Sequence, residues 1–115
     1  MDIERISDVT VAFYDGPIIA REANATGVIG ACYGQGIDLL AIAVESLADD
    51  FFWLSSGLAG AVLQKFQNYG FRVAILGDIS RFTAESPSLR DFVHESNRRG
   101  QVLFLPGRDA LAGRL

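Results

Sequence analysis

Three short apolar runs, Leu39 to Val44, Phe71 to Leu76 and Val102 to Leu105, constrain this chain more than any other feature. None of them alternates apolar with polar residues. A continuous run of this length, bounded by turn or charged residues, suits a strand covered on both faces and therefore a parallel sheet. Between the runs lie helix patterns. From Ser56 to Tyr69, Leu58, Val62 and Phe66 recur four apart, joined by Ala59 and Leu63, while Gln64, Lys65, Gln67 and Asn68 take the other side. Gly70 stands where such a helix ends. Ser86-Pro87 opens another helix through a capping serine and a proline at its first turn. Leu89, Phe92 and Val93 form its apolar side, and Asn97-Arg98-Arg99-Gly100 its end. Strand and helix alternation then continues to a short terminal helix over Arg108 to Leu115, docking through Leu111 and Leu115.

The N-terminal third carries weaker signals. Val9 to Tyr14 is rich in β-branched and aromatic residues and runs into Asp15-Gly16-Pro17, which is turn chemistry. Ile18-Ile19-Ala20 reads as a second strand pairing back on the first. Glu22 to Tyr33 reads as a short helix weakened by Gly27 and Gly30. The expected fold is a single α/β domain over residues 1–115. Its one mostly parallel sheet would start with an N-terminal hairpin and have helices packed against it.

Composition excludes several classes. A formal net charge of −4 argues against nucleic acid, since phosphate binding needs clustered positive charge. A mean hydropathy of +0.24 is high for 115 residues, so either the sheet is covered on both sides or apolar surface is buried against a second subunit, as in a homodimer. The single cysteine, Cys32, has no disulfide partner and suits a small buried position. The charged N-terminus, Met1 to Arg5, is not followed by an apolar segment, so no signal peptide is expected. The longest strongly apolar stretch is too short for a membrane span. The expected location is the cytoplasm.

Ligand sites in open α/β sheets gather at the carboxyl ends of the strands. Here those ends carry Glu45 with Asp49 and Asp50, Gly77-Asp78 with Ser80, and Pro106-Gly107-Arg108. Ser55-Ser56-Gly57 opens a helix at the same edge. A serine there caps the helix, or the helix start receives an anion or a phosphoryl group. Phe51-Phe52-Trp53 is too aromatic to lie wholly in solvent and is read either as core packing or as an interface anchor. Asp49-Asp50 suits a solvated turn better than a paired-carboxylate site.

Familiar chemistry is missing. No G-x-x-x-x-G-K-[ST] phosphate loop occurs, and Gly34-Gln35-Gly36 precedes a strand where a dinucleotide fingerprint would follow one. The strand ending in Asp78 is like a Walker B strand without its partner loop. The only lysine, Lys65, lies on the polar side of a helix, and the only histidine, His94, lies away from the apolar side of its own. His94-Glu95 has no second histidine four residues on. No metal site and no cofactor are expected.

Several strings together resemble the bacterial domain of unknown function 4180 family. They are the run from Phe51 through Gly60, Leu63-Gln64-Lys65-Phe66-Gln67-Asn68-Tyr69, Ile75-Leu76-Gly77-Asp78, and Phe92-Val93-His94-Glu95-Ser96-Asn97-Arg98. The match spans essentially the whole chain and implies a fold without a reaction. A more local resemblance is to the STAS domain of anti-sigma-factor antagonists, where a strand leads to D-S-S-G-L at a helix start. Ser55-Ser56-Gly57-Leu58 is similar, with Leu54 in place of the aspartate. That resemblance implies a STAS-like topology and makes Ser56 the phosphoacceptor.

Two functions follow as expectations. The first is a small regulatory or interaction protein. It would bind a protein partner, or itself, through Ser55, Ser56 and Gly57 with Glu45, Asp78 and Ser80, or through Phe51, Phe52 and Trp53. The second is an enzyme or sensor using Glu45, Asp78 and Ser80 around a small molecule or a hard divalent cation. Converging carboxylates in a pocket would favour the second; a shallow surface with exposed apolar residues would favour the first.

Overall fold

The computed structural model describes residues 1–115. Five strands, β1 (Asp2–Ile6), β2 (Val9–Phe13), β3 (Leu39–Ala43), β4 (Arg72–Leu76) and β5 (Val102–Leu105), lie in one sheet in sequence order. Only β1 and β2 are antiparallel; β2 to β5 run parallel. Helices α1 (Glu22–Cys32), α2 (Leu58–Asn68) and α4 (Pro87–Arg99) make the crossovers. The short α3 (Ser80–Thr83) follows β4, and α5 (Leu111–Arg114) follows β5. The α/β reading holds, and the apolar runs are the parallel strands.

Strand alternation divides the core in two. Ala12, Leu40, Ile42, Val73, Ile75, Val102 and Phe104 face α1, α2 and α4 in a cluster of 24 buried residues. Val11, Leu39, Ala41, Ala74, Leu76, Leu103 and Leu105 face the other way, where Leu111 joins them in a cluster of 8. A parallel sheet whose strands follow in one direction, with crossovers of one hand, puts every crossover helix on the same side. The opposite side is closed by the segment after β5. Its Arg108 guanidinium lies 3.6 Å from the centre of the Phe13 ring.

The hairpin differs from the expected one. The partner of β2 is Asp2–Ile6, ahead of it, with Ile6 opposite Val9. Ser7 and Asp8 turn the chain with φ of 49° and 66°, the left-handed pair of a two-residue hairpin, built without glycine. Ile18-Ile19-Ala20 forms no hairpin strand. Ile19 makes one isolated parallel bridge to Leu47 instead. The Asp15-Gly16-Pro17 turn serves Tyr14: its hydroxyl donates to the Pro17 carbonyl at 2.5 Å and its ring folds over Gly16.

The helix ends follow their chemistry. The Ser86 hydroxyl accepts from the Leu89 N–H at 3.1 Å, and Gly100 ends α4 at φ 84°. At the outer edge of β5 the Asn97 side chain does the work of a sixth strand. Its amide donates to the Phe104 carbonyl at 3.2 Å, and its oxygen accepts from the Phe104 N–H at 2.7 Å.

Candidate functional site

The carboxyl ends of β2, β3, β4 and β5 share one rim, and the long connection from Val44 to Gly57 crosses it in three 3₁₀ turns: Val44–Ser46, Asp49–Phe52 and Leu54–Ser56. Two aromatic side chains pin this connection. Phe51 and Phe52 are buried, their rings meeting edge-on, and Phe52 stacks on Phe82 of α3 with centroids 4.4 Å apart. Arg81 strengthens the junction, lying over the Phe82 ring and pairing with Asp49 at 2.9 Å. An exposed pair of this kind contributes at most about 1 kcal/mol, so the aromatic packing dominates.

The interface anchor proposed over Phe51 to Trp53 is therefore corrected. Phe51 and Phe52 belong to the core because a 3₁₀ turn, unlike a strand, sends two consecutive rings inward. Trp53 alone faces outward, 60% exposed.

Ser55, Ser56 and Gly57 stand at this rim, at the start of α2. The cap itself is Gly57, at φ 80°, a left-handed conformation that serine avoids. The Ser56 hydroxyl instead braces the turn, donating to the Asp50 carbonyl at 2.6 Å and accepting from the Leu58 N–H at 3.2 Å. Ser55 is exposed, and its side chain makes no hydrogen bond.

Asp78 and Ser80 pair locally. The Asp78 carboxylate accepts from the Ser80 backbone N–H at 2.8 Å. Backbone and side-chain hydrogen bonds from Ser80 hold its carboxyl below the usual range. Asp78 and Ser80 line a shallow depression with Thr83, Val93 and Phe104, and Glu45 is not part of it. Glu45 projects beside Gly77, which has φ 138° and no room for a side chain, because Val44 Cγ2 lies 3.0 Å from where its Cβ would be. Nowhere do three His, Cys, Asp or Glu side chains meet as a metal-binding group. His94 is exposed on α4 and Cys32 is buried at the end of α1, where burial pushes its thiol up. No helix is long and apolar enough to cross a membrane.

Two features escaped the sequence reading. One is the Asn97 clamp on β5; its signal is an asparagine on the apolar side of a helix that precedes a strand. The other is a cleft of about 530 Å³ between β1 and α1, lined by Ile3, Tyr14, Ala23, Gly27, Val28 and Ala31 among others. It follows from the small residues of α1 and from the missed strand β1.

No curated protein sequence and no solved structure matches the chain. A family model described as Domain of unknown function (DUF4180) matches residues 5–115. That span takes in the rim, the long connection and every strand of the parallel part of the sheet, and so the chain belongs to the DUF4180 family.

Proposed function

We propose that this chain is a small regulatory interaction domain, STAS-like in its use of a helix start, that docks a protein partner at the rim through Trp53 and Ser55–Gly57. The observation that carries this reading is Trp53. It is the only tryptophan, it is exposed, and its backbone is fixed on both sides by the buried Phe51 and Phe52 and by the Ser56 to Asp50 hydrogen bond. A large aromatic on a backbone held in place loses little chain entropy on binding, and tryptophan is enriched among binding hot spots. The enzyme alternative requires Glu45, Asp78 and Ser80 to meet around a ligand, and no such geometry supports it.

Ser56 gives the surface a means of regulation. A phosphoryl group on its Oγ removes the proton that bonds Asp50, so modification loosens the turn bearing Trp53. Such a reading suits a cytoplasmic protein with a kinase among its partners.

Affinity purification from the native host, comparing the unaltered chain with Trp53→Ala, tests the proposal. The substitution is at an exposed position and leaves the melting temperature unchanged. The expected result is a partner retained by the unaltered chain and lost from the variant, with a blue-shifted Trp53 emission in the complex. Identical proteins on both chains, or none on either, overturn the reading. Mass spectrometry of the purified chain then locates phosphate; none on Ser55 or Ser56 removes the regulatory part.

A further inference from the structure

The two edges of the sheet are finished differently. At β5 the outward N–H and C=O of Phe104 are both bonded by Asn97, so that edge is blocked at Phe104. At β1 the outward groups follow from the hairpin. Ile6 and Val9 close a two-residue turn and exchange hydrogen bonds, as do Glu4 with Val11 and Asp2 with Phe13 further along. The other side of β2 agrees: the Thr10 carbonyl accepts from Asp38 and the Tyr14 N–H donates to Ala41, both towards β3. The N–H and C=O of Ile3 and Arg5 therefore point out of the sheet, and no loop or side chain bonds them.

Beside this open edge, on the side of α1, lies the cleft. Ile3 is 45% exposed along its floor. Ala23, Gly27 and Ala31, four residues apart on α1, form its wall, and nothing lies within 4 Å of a Cβ placed on Gly27. On the opposite side of β1, Asp2 and Glu4 are exposed and share a single guanidinium, Arg108, 3.2 Å from Asp2 and bonded to Glu4 as well. Two carboxylates against one cation leave that side with one negative charge in excess.

We propose that β1 and the cleft together bind an extended segment of a partner protein, added to the sheet as a further strand beyond β1, in which apolar residues alternate with basic ones. Successive side chains of a strand point to opposite faces. One set of the added strand enters the apolar cleft against Ala23, Gly27 and Ala31. The other set passes Asp2 and Glu4, where lysine or arginine neutralises the excess charge. Main-chain hydrogen bonds to Ile3 and Arg5 supply affinity, and the alternation supplies specificity. A second copy of this chain does not fit. Continuing the sheet through β1 of another copy about a twofold axis sets Asp2 and Glu4 against the same acidic side, and like charges opposite each other oppose pairing. This surface is separate from the rim, so its failure leaves the Trp53 reading intact and the reverse also holds.

The test uses the full chain and capped heptapeptides: one alternating valine with lysine, one alternating valine with glutamate, and one with the valine–lysine composition sorted into two blocks. Titration by NMR or calorimetry is expected to show binding of the first alone. In the complex the Ile3 and Arg5 amides gain protection from hydrogen exchange, which adsorption by charge does not produce. Ile3→Pro removes an outward donor without touching the β1–β2 ladder, and it abolishes binding. Should that variant fail to fold, Gly27→Leu fills the cleft at an open helical position and abolishes binding by a separate route. Asp2→Asn with Glu4→Gln leaves Arg108 unpaired and shifts the preference towards the glutamate peptide, with about fivefold weaker binding of the lysine peptide. Equal binding of the blocked peptide, no binding at millimolar concentration, unprotected Ile3 and Arg5 amides, or protection arising from self-association would each overturn the proposal.

Discussion

The two faces of the sheet bury similar side chains under very unequal covers. On one, α1, α2 and α4 bring Val28, Ile29, Val62, Leu63, Phe66 and Leu89 down onto the strands. On the other, Leu111 and the half-buried Ala110 and Leu115 close the space over Leu39, Ala41 and Leu103. The difference is a matter of topology. Strands laid down in one direction commit their crossovers to one side, so the second side is left to chain that no crossover needs. Small side chains help there: Ala41 and Ala74 sit mid-strand, so little has to reach over them.

Substitutions on each face test how deep that inequality runs. Phe66→Ala, in the middle of α2, is expected to destabilise the fold by about 3–5 kcal/mol in urea denaturation. Leu111→Ala opens a thinner cover and is expected to cost about 2 kcal/mol, at the lower end for a buried leucine. Its added signature is faster hydrogen exchange at Leu103 and Leu105, without loosening of Leu40 or Ile42. Equal costs and equal exchange for the two variants would mean that the faces unfold as one unit. Asn97→Ala strips both polar groups of Phe104 at the border between the faces. It is expected to cost about 1–2 kcal/mol and to promote association at the β5 edge, measured by light scattering.

Arg108→Ala removes the guanidinium over Phe13 and the ion pairs to Asp2 and Glu4. Those groups are half exposed, so a small loss of stability that shrinks further in salt is the expected outcome. The smallest effect lies on the helical face. Hydrogen bonds from Arg98 and Arg99 hold the Glu95 carboxyl at about 2. Its contribution is present above the ordinary carboxylate range and is lost as pH falls through about 2, because a depressed carboxyl favours the folded state only while ionised. A side-chain NMR titration with a midpoint near the ordinary value would show that α4 ends without this clamp.

What the sequence made legible follows burial. β3, β4 and β5 are covered on both faces, so they read as apolar runs, and α2 and α4 carry both amphipathic spacing and end signals. β1 hides because one face meets solvent and the other meets Arg108, giving Asp-Ile-Glu-Arg-Ile in place of an apolar run. Its turn hides because Ser7 and Asp8 adopt left-handed conformations usually marked by glycine or asparagine. At the rim, the position of Ser56 could be read from the alternation of strand and helix. Its bond to Asp50 could not, since that depends on how three 3₁₀ turns fold the residues between. The same turns send Phe51 and Phe52 inward, a choice between core and surface that aromatic composition leaves open. Glu45 comes beside Gly77 through the packing of Val44, a contact between segments more than thirty residues apart.

A single amide at position 97 gives the molecule a direction. With Phe104 on the β5 border held by the chain's own side chain, strand addition is favoured beyond Asp2–Ile6. Strand addition at this chain is thereby biased to one side, which favours a terminus over a link in a fibre.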